Sequence, residues 1–188
     1  SPDGEHLAYF GSLQDNPLGG QLMLANLTTG ISRAIGLPTP AQPLSWSQDS
    51  QHLAVAVLAP YSRRYREGKY ELLVFNTAGK ETVRIDLQPH RSPLDARLTP
   101  DGKGVGYVQG GQLWYQPIDA SFSKRGPARK IGKTLADMPA WSGDGHQVLV
   151  LSGDQLRRFS VTSGEVIATH SVPLDYKRDI HNRSWTLR

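Results

Sequence analysis

The polar and apolar positions of this chain alternate in short blocks. Short apolar runs such as Leu7–Phe10, Leu53–Leu58 and Val148–Leu151 are separated by segments rich in Pro, Asp, Gly and Ser. Short apolar runs bounded by turn residues are typical of strands that are covered on both faces. The pattern therefore predicts an all-β chain of many short strands.

One of these blocks occurs four times. The copies read SPDGEHLAYF, WSQDSQHLAVAV, LTPDGKGVGYV and WSGDGHQVLVL, and their acids are Asp3, Asp49, Asp101 and Asp144. The acids are separated by 46, 52 and 43 residues. A period of this size with strands inside each unit is typical of the blades of a β-propeller.

The centre of each copy has the composition of a tight turn. In the first copy, Pro2 restricts its own φ, Asp3 can accept hydrogen bonds from nearby backbone amides, and Gly4 can adopt a positive φ. Gly102 and Gly145 occupy the position of Gly4, whereas Ser50 replaces it, so the second turn should be less relaxed or of another type. The acids Asp49, Asp101 and Asp144 are predicted to cap their turns in the same way.

Each copy is accompanied by further strand-like segments. An entering strand, the motif strand, a second strand such as YELLVFN and a third such as TVRIDLQ give four strands per unit, as in a propeller blade. The predicted blades are residues 1–40, 41–92, 93–136 and 137–183. Residues 184–188 would either start a following domain or form a closing strand.

The second and third blades have features of their own. Trp46 and Trp141 precede their turns, where an aromatic ring can pack between blades. Gly104 and Gly106 lie in the third motif strand, which indicates a close backbone approach or a weaker blade.

Composition excludes several classes of protein. The formal charge of +4 is spread along the chain without a long basic block, which argues against nucleic-acid binding. No apolar run approaches the roughly 20 residues of a membrane span. Cysteine is absent, which excludes disulfides and thiolate metal sites.

The residue pattern gives no catalytic set. The repeated acids are assigned to separate turns rather than to a carboxylate pair, and there is no G-x-S-x-G elbow or phosphate-binding loop. His6, His52 and His146 follow the turns and are predicted to be surface residues. We therefore predict no catalytic, cofactor-binding or metal-ligating residue in this chain.

An insertion interrupts the second blade. It runs from Tyr61 to Tyr70 and interleaves aromatic and basic side chains; its candidate docking residues are Tyr61, Arg63, Arg64, Tyr65 and Arg66. Such a segment can be a solvated hairpin, with arginine stems packed on tyrosine rings, or a contact with a neighbouring domain or subunit. Binding of an anionic ligand or nucleic acid is a third reading.

The S-P-D-G and W-S-x-D-G turns, each followed by an apolar strand, resemble the PD40 repeats of TolB-like propellers, which are WD40-like. The segment from Ala59 to Phe75 and the ending VPLDYKRDIHNRSWTLR resemble the propeller part of bacterial proteins in which such a propeller precedes a metal-dependent amidohydrolase domain. The chain departs from that hydrolase domain because it has no His-x-His pair. The resemblance implies a periplasmic or otherwise extracytoplasmic location, with any divalent metal in a downstream domain.

The sequence leaves two functions open, and two ways of completing the ring of blades. The chain is expected to be a non-catalytic scaffold or substrate gate of a larger hydrolase; the alternative is a TolB-type protein-interaction module of the cell envelope. Its four blades either close on themselves, with the tail SWTLR completing the first blade, or form part of a larger ring, which we favour. An open arc would expose blade edges, through which two copies could associate.

Overall fold

A computed structural model describes residues 1–12, 20–35, 44–58, 70–87, 94–133 and 137–172. These residues form strands and turns and contain no helix. None of them therefore forms an apolar helix of membrane-spanning length.

The strands are grouped into four antiparallel sheets, which we call blades 1 to 4. Blade 1 contains β1 (His6–Ser12), β2 (Gly20–Asn26) and β3 (Ser32–Ala34). Blade 2 contains β4 (Leu44–Trp46), β5 (His52–Leu58), β6 (Tyr70–Asn76) and β7 (Glu81–Asp86). Blade 3 contains β8 (Leu94–Leu98), β9 (Gly104–Gln109), β10 (Gln112–Pro117) and β11 (Arg129–Ile131). Blade 4 contains β12 (Asp137–Trp141), β13 (Gln147–Ser152), β14 (Gln155–Ser160) and β15 (Val166–Ser171).

Within each blade, neighbouring strands in sequence are also neighbours in space. The register repeats as well, because His6 pairs with Asn26 in blade 1 and His52 pairs with Asn76 in blade 2. Blades 2 to 4 have four strands each, whereas the described part of blade 1 has three. The predicted all-β propeller architecture of four-stranded blades is thus confirmed. The residue limits predicted for the blades stay predictions, since the segments between the blades lie outside the described residues.

The core is divided among the interfaces between successive blades. One cluster joins Leu22, Leu24 and Ile35 of blade 1 to Leu53, Val55, Val57, Leu73 and Phe75 of blade 2. A second joins Ala54, Ala56, Leu72, Val74, Ile85 and Leu87 of blade 2 to Ala96, Leu98, Val105, Tyr107, Ile118 and Phe122 of blade 3. A third joins Val108, Leu113, Tyr115 and Ile131 of blade 3 to Val148, Val150, Phe159 and Val161 of blade 4. Each blade thus has an upstream face, toward the preceding blade, and a downstream face, toward the following one.

This division follows from strand geometry. Successive side chains of a strand point to opposite faces, so Leu53 and Val55 of β5 face blade 1 while Ala54 and Ala56 face blade 3. The motif strand must be apolar at every position because both of its faces are covered. This is the physical reason for its continuous apolar run.

Glycine allows blade 3 to approach blade 4 closely. A Cβ atom at Gly106 would lie 1.9 Å from Cζ2 of Trp141, so the indole ring occupies the space that a side chain would fill. Within blade 3, a Cβ at Gly104 would lie 2.2 Å from the ring of Tyr115. Of the two alternatives predicted for these glycines, the structure shows the close approach.

Polar contacts also join the blades. The Asp3 amide donates to the Ser50 hydroxyl across blades 1 and 2 at 3.0 Å, and the Leu98 amide donates to Ser45 across blades 2 and 3 at 2.9 Å. The Gly132 amide donates to the Gly164 carbonyl across blades 3 and 4 at 3.1 Å. These bonds fix the position of one blade relative to the next.

Candidate functional site

The four repeated turns have one common hydrogen-bond arrangement. In the second turn, the Ser47 hydroxyl donates to Oδ1 of Asp49 at 2.5 Å and accepts from the His52 amide at 2.9 Å. The same Asp49 oxygen accepts from the Gln51 amide at 2.9 Å. Serine, aspartate and two backbone amides thus form a compact polar unit that closes the turn before the motif strand.

The other turns repeat this unit residue by residue. The hydroxyl comes from Ser1, Thr99 and Ser142, each two residues before the acid, and the oxygen-to-oxygen distances to the acid are 2.5, 2.6 and 2.5 Å. The second hydrogen bond to each carboxylate is donated by a backbone amide two residues after the acid, namely that of Glu5, Lys103 or His146. Asp3, Asp49, Asp101 and Asp144 therefore all lie where the sequence predicts them, as capping groups of turns.

The residue after each acid has a positive φ. Gly4, Gly102 and Gly145 have φ values of 75°, 68° and 70°, and Ser50 has a φ of 61°. The second turn therefore keeps the geometry of the others, with a serine in a conformation that favours glycine. Of the two alternatives predicted for it, another turn type is wrong and a less relaxed turn fits the observed φ.

The electrostatics of the turns oppose acid catalysis. The Ser1 hydroxyl, followed by the Glu5 amide, lowers the pKa of Asp3, and Ser47 and Gln51 lower the pKa of Asp49 in the same way. Ser142 and the His146 amide lower the pKa of Asp144. A general acid at neutral pH needs a raised pKa, so these carboxyls are held in the form that accepts hydrogen bonds.

Two of the turn histidines pack between blades. The ring of His52 contacts Phe122 of blade 3 edge-on, with ring centroids 4.9 Å apart, and the ring of His6 lies 6.1 Å from that of Trp46 of blade 2. Both side chains are half-buried, whereas His146 is exposed. His6 and His52 are therefore only partly at the surface, because the turn directs their rings toward the next blade.

Among the described residues, one group of possible metal ligands comes together. Atoms of Asp3, Glu5 and His6 lie within 4.8 Å of one another, with both acids exposed. One oxygen of Asp3 already accepts bonds from Ser1 and from the Glu5 amide, so the turn itself accounts for the grouping.

A cavity of about 530 Å³ lies where the first strands of blades 2, 3 and 4 end. It is lined by Pro2, Leu44, Ser45, Trp46, Gln48, Arg97, Leu98, Pro100, Pro139, Ala140, Trp141 and Gly143. Pro2, Gln48, Pro100 and Gly143 each stand directly before a turn aspartate. One residue of each of the four turns therefore lines this cavity, which we call the axial mouth.

The chemistry of the axial mouth suits an extended polypeptide. Two indole rings, three prolines and Leu98 provide apolar surface, and Ser45, Gln48 and Arg97 provide polar groups. Register shifts occur in β8 between Leu94 and Arg97 and in β12 between Asp137 and Ala140, and Arg97 and Ala140 line the cavity. Such irregularities redirect side chains and are common beside binding sites.

Two cation–aromatic contacts account for part of the basic surface of blade 3. The Arg129 guanidinium lies 5.0 Å from the centre of the Tyr115 ring, and the Lys130 ammonium lies 5.2 Å from that of Trp114. The predicted docking residues Tyr61, Arg63, Arg64, Tyr65 and Arg66 lie outside the described residues, so their role stays a prediction.

Sequence reasoning missed the turn hydroxyls and the axial mouth. The hydroxyls had a signal, because Ser or Thr stands two residues before every repeated acid. The axial mouth had a weaker signal, namely the residue directly before the repeated acid in each copy. Only the assembled blades bring those residues together.

Comparison with solved structures confirms the propeller fold. The Myceliophteria thermophila Cps50 (Swd1) β-propeller domain superposes with a TM-score of 0.66 and 14% identity, covering 91% of this chain and 53% of that one. The dihydro-heme d1 dehydrogenase NirN, in complex with DHE, superposes with a TM-score of 0.62 and 19% identity, covering 92% of this chain and 36% of that one. At these identities the likeness concerns the fold alone.

The chain thus spans about half of the first of these structures and about a third of the second. No family model and no curated protein matches the sequence.

Proposed function

We propose that this chain is a non-catalytic propeller scaffold that holds an extended segment of a neighbouring domain or partner protein in its axial mouth. The observation that carries the proposal is the convergence of Trp46, Trp141 and Arg97 from three blades on one cavity. Aromatic and arginine side chains are the groups that dominate binding energy in protein interfaces.

The assignment of the repeated acids supports the non-catalytic part of the proposal. Asp3, Asp49 and Asp144 each accept a short hydrogen bond from a turn hydroxyl, and their pKa values are lowered. The same geometry is repeated from blade to blade, as a structural cap requires, whereas a catalytic group would differ from its counterparts.

We further propose, from the sequence resemblance, that the neighbouring domain is a metal-dependent amidohydrolase and that the propeller gates its substrate. In this proposal the divalent metal belongs to the downstream domain, and the protein is periplasmic or otherwise extracytoplasmic. The coding sequence after Arg188 tests it, because an amidohydrolase domain would show a His-x-His pair there and a stop codon would contradict it.

The alternative is a TolB-type interaction module whose partner is a separate protein. The axial mouth favours this alternative equally, because its lining suits a polypeptide from either source. The two proposals differ in whether the bound segment is covalently attached to the propeller.

The mouth can be tested by filling it. Gly143 lines the cavity, a Cβ atom there would meet nothing within 4 Å, and its φ is not in the left-handed region. We expect Gly143→Arg to fold normally and to obstruct the mouth. Short random peptides displayed on phage should be enriched on the wild-type chain, and the substitution should weaken their binding about tenfold, or about 1.4 kcal/mol.

Thr28→Arg is the matched control, because Thr28 is exposed on the turn between β2 and β3 and the added charge is the same. It should leave peptide affinity unchanged. Equal affinities for both variants would show that the peptides bind elsewhere and would contradict the proposed site. Metal-dependent turnover of a substrate by the isolated chain would contradict the non-catalytic assignment.

A further inference from the structure

On the upstream face of blade 1, residues are exposed whose counterparts in the other blades are buried. Leu7 is 50% exposed, whereas its counterparts Leu53, Val105 and Val148 are 1%, 0% and 0% exposed. Tyr9 is 37% exposed, whereas Val55, Tyr107 and Val150 are 1%, 2% and 1% exposed. All counterparts stand at the same distance after their turn aspartates, so the comparison is between equivalent positions.

We propose that the upstream face of blade 1 is one half of a further blade–blade interface and takes another four-stranded blade of the same ring. The surface continues the three interfaces already present, since the same strand positions form each of them. The solved Swd1 propeller domain is nearly twice the length that this chain covers, so a ring with further blades has a structural precedent. The proposal concerns a different surface from the axial mouth and does not depend on the proposed function.

The structure also indicates the chemistry of a blade that would cover this face. Tyr107 of blade 3 is the counterpart of Tyr9, and it lies in one cluster with Ala54, Ala56 and Val74 of the downstream face of blade 2. Small residues on the motif strand leave room for a tyrosine ring in a close-packed interface. The blade that covers Tyr9 should therefore carry alanine or glycine at the positions of Ala54 and Ala56.

Blade 4, the other end of the arc, does not match this description. Arg158 of blade 4 stands where blades 1 to 3 bury Leu24, Val74 and Tyr115. His170 stands where they bury Ile35, Ile85 and Ile131, and both Arg158 and His170 are exposed. In addition, Leu149 replaces the small residues Ala54 and Gly106.

Docking blade 4 of a second copy on Leu7 and Tyr9 would bury a guanidinium and overfill the interface. Burial of an unpaired charge and overpacking both oppose association. The same argument opposes direct closure of the four blades on themselves. The downstream face of blade 2 fits best, because it already packs against Tyr107 of blade 3, the counterpart of Tyr9.

A fusion tests the proposal directly. Leu98 is followed by Thr99, the counterpart of Ser1, so a second copy of residues 44–98 joined directly before Ser1 preserves the register of the repeat. The copy would supply a duplicate of blade 2 and an additional first strand for blade 1. We expect the reactivity of Tyr9 toward hydroxyl radicals, measured by mass spectrometry, to fall at least about fivefold, since its exposure would approach that of Tyr107.

The matched control is the same fusion with Val74→Arg in the added copy only, which reproduces the charge of blade 4. It should leave Tyr9 as reactive as in the unfused chain. A Tyr9 that stays reactive in the unsubstituted fusion, while circular dichroism shows added β structure, would overturn the proposal.

The unfused chain provides a test that does not depend on the folding of the fusion. At the lowest protein concentration, Tyr9 should be much more reactive than Tyr107. Equal reactivities, or protection of Tyr9 that grows with concentration and disappears in Leu7→Lys, would overturn the proposal; the second result would identify a second copy as the occupant.

Discussion

At the scale of single residues, the turn hydroxyl is as important as the acid beside it. Ser47 is buried and is both a donor to Asp49 and an acceptor from the His52 amide. Its loss leaves the part-buried His52 amide and the Asp49 carboxylate with fewer partners. A polar group that is shielded from water and left without its bond costs more than an average hydrogen bond contributes. The hydroxyl therefore stabilises the start of the motif strand.

We expect Ser47→Ala to lower the free energy of unfolding by about 1–3 kcal/mol, because it removes both bonds at once. Urea denaturation of the two proteins measures the change. Ser47→Thr is the control, since Thr99 makes the same bonds in the third turn, and it should lose much less stability. Equal losses in the two variants would assign the effect to packing rather than to the hydroxyl.

Ser50 combines an unfavourable backbone conformation with a favourable side-chain contact. Its φ of 61° costs roughly 1 kcal/mol for a residue with a Cβ atom, while its hydroxyl accepts the bond from Asp3 of blade 1. Ser50→Gly removes the backbone cost and also the hydrogen bond from Asp3, so the free energy of unfolding should stay within about 0.5 kcal/mol of the original. Ser50→Ala keeps the backbone cost and loses the bond, so it should be less stable than the glycine variant by about 1 kcal/mol. Thermal denaturation of both variants gives the order, and an alanine variant more stable than the glycine one would contradict this account.

At the scale of strands and blades, local chemistry made most of the fold predictable. The apolar motif strand, the polar turn and the two following strands all have short-range signals, so the strands occur in the predicted segments. Which side chains meet across a blade interface has no such signal. The contact between Gly106 and Trp141 joins residues 35 positions apart, and only the stacking of blades brings them together.

The substitution Gly106→Ala tests this interface. Its Cβ would overlap the Trp141 ring, and overpacking of a well-packed core typically costs about 1–3 kcal/mol. The control is Gly143→Ala, because a Cβ there meets no atom within 4 Å, and its unfolding midpoint in urea should stay close to that of the original chain.

A double variant separates steric overlap from a loss of backbone flexibility. Trp141→Leu alone should destabilise the chain, because the ring contributes to the core between blades 3 and 4. With Gly106→Ala added, the two costs should sum to less than their separate values, because the smaller side chain leaves room for the Cβ atom. Additive costs would contradict the steric explanation.

At the scale of the whole molecule, the repeated carboxyls make stability depend on pH in the acid range. The pKa values of Asp3, Asp49 and Asp144 are lower in the folded chain than their ordinary values. Groups of this kind contribute stability above the unfolded pKa, near 4, and lose that contribution as the pH falls through the folded pKa. The free energy of unfolding should therefore decrease steadily below about pH 4.

Urea denaturation between about pH 2 and 6 measures this slope. Asp144→Asn removes one titrating group while its side-chain oxygen can still accept the turn bonds, so the slope should become shallower. Thr28→Asn, on an exposed turn, should leave the slope unchanged. A slope that is the same in Asp144→Asn would show that the pH dependence comes from other groups.

Function could be predicted only in outline, because the binding surface is assembled from distant parts of the chain. The lining residues of the axial mouth lie in the first strands and the turns of the blades, and nothing in Trp46 or Pro100 by itself distinguishes a binding residue from a packing residue. The repeated acids gave a clearer signal, since four similar contexts indicate a shared structural task.

The division of the core into three interfaces also determines how the molecule unfolds. Each blade is coupled only to its neighbours, so stability is a sum of blade terms and nearest-neighbour terms, as in a one-dimensional array. Amides of blades 2 and 3, which have neighbours on both sides, should exchange with solvent more slowly than those of blades 1 and 4. Unfolding would then proceed inward from the two ends as a fraying process, and any blade added at an end would slow exchange in the blade next to it.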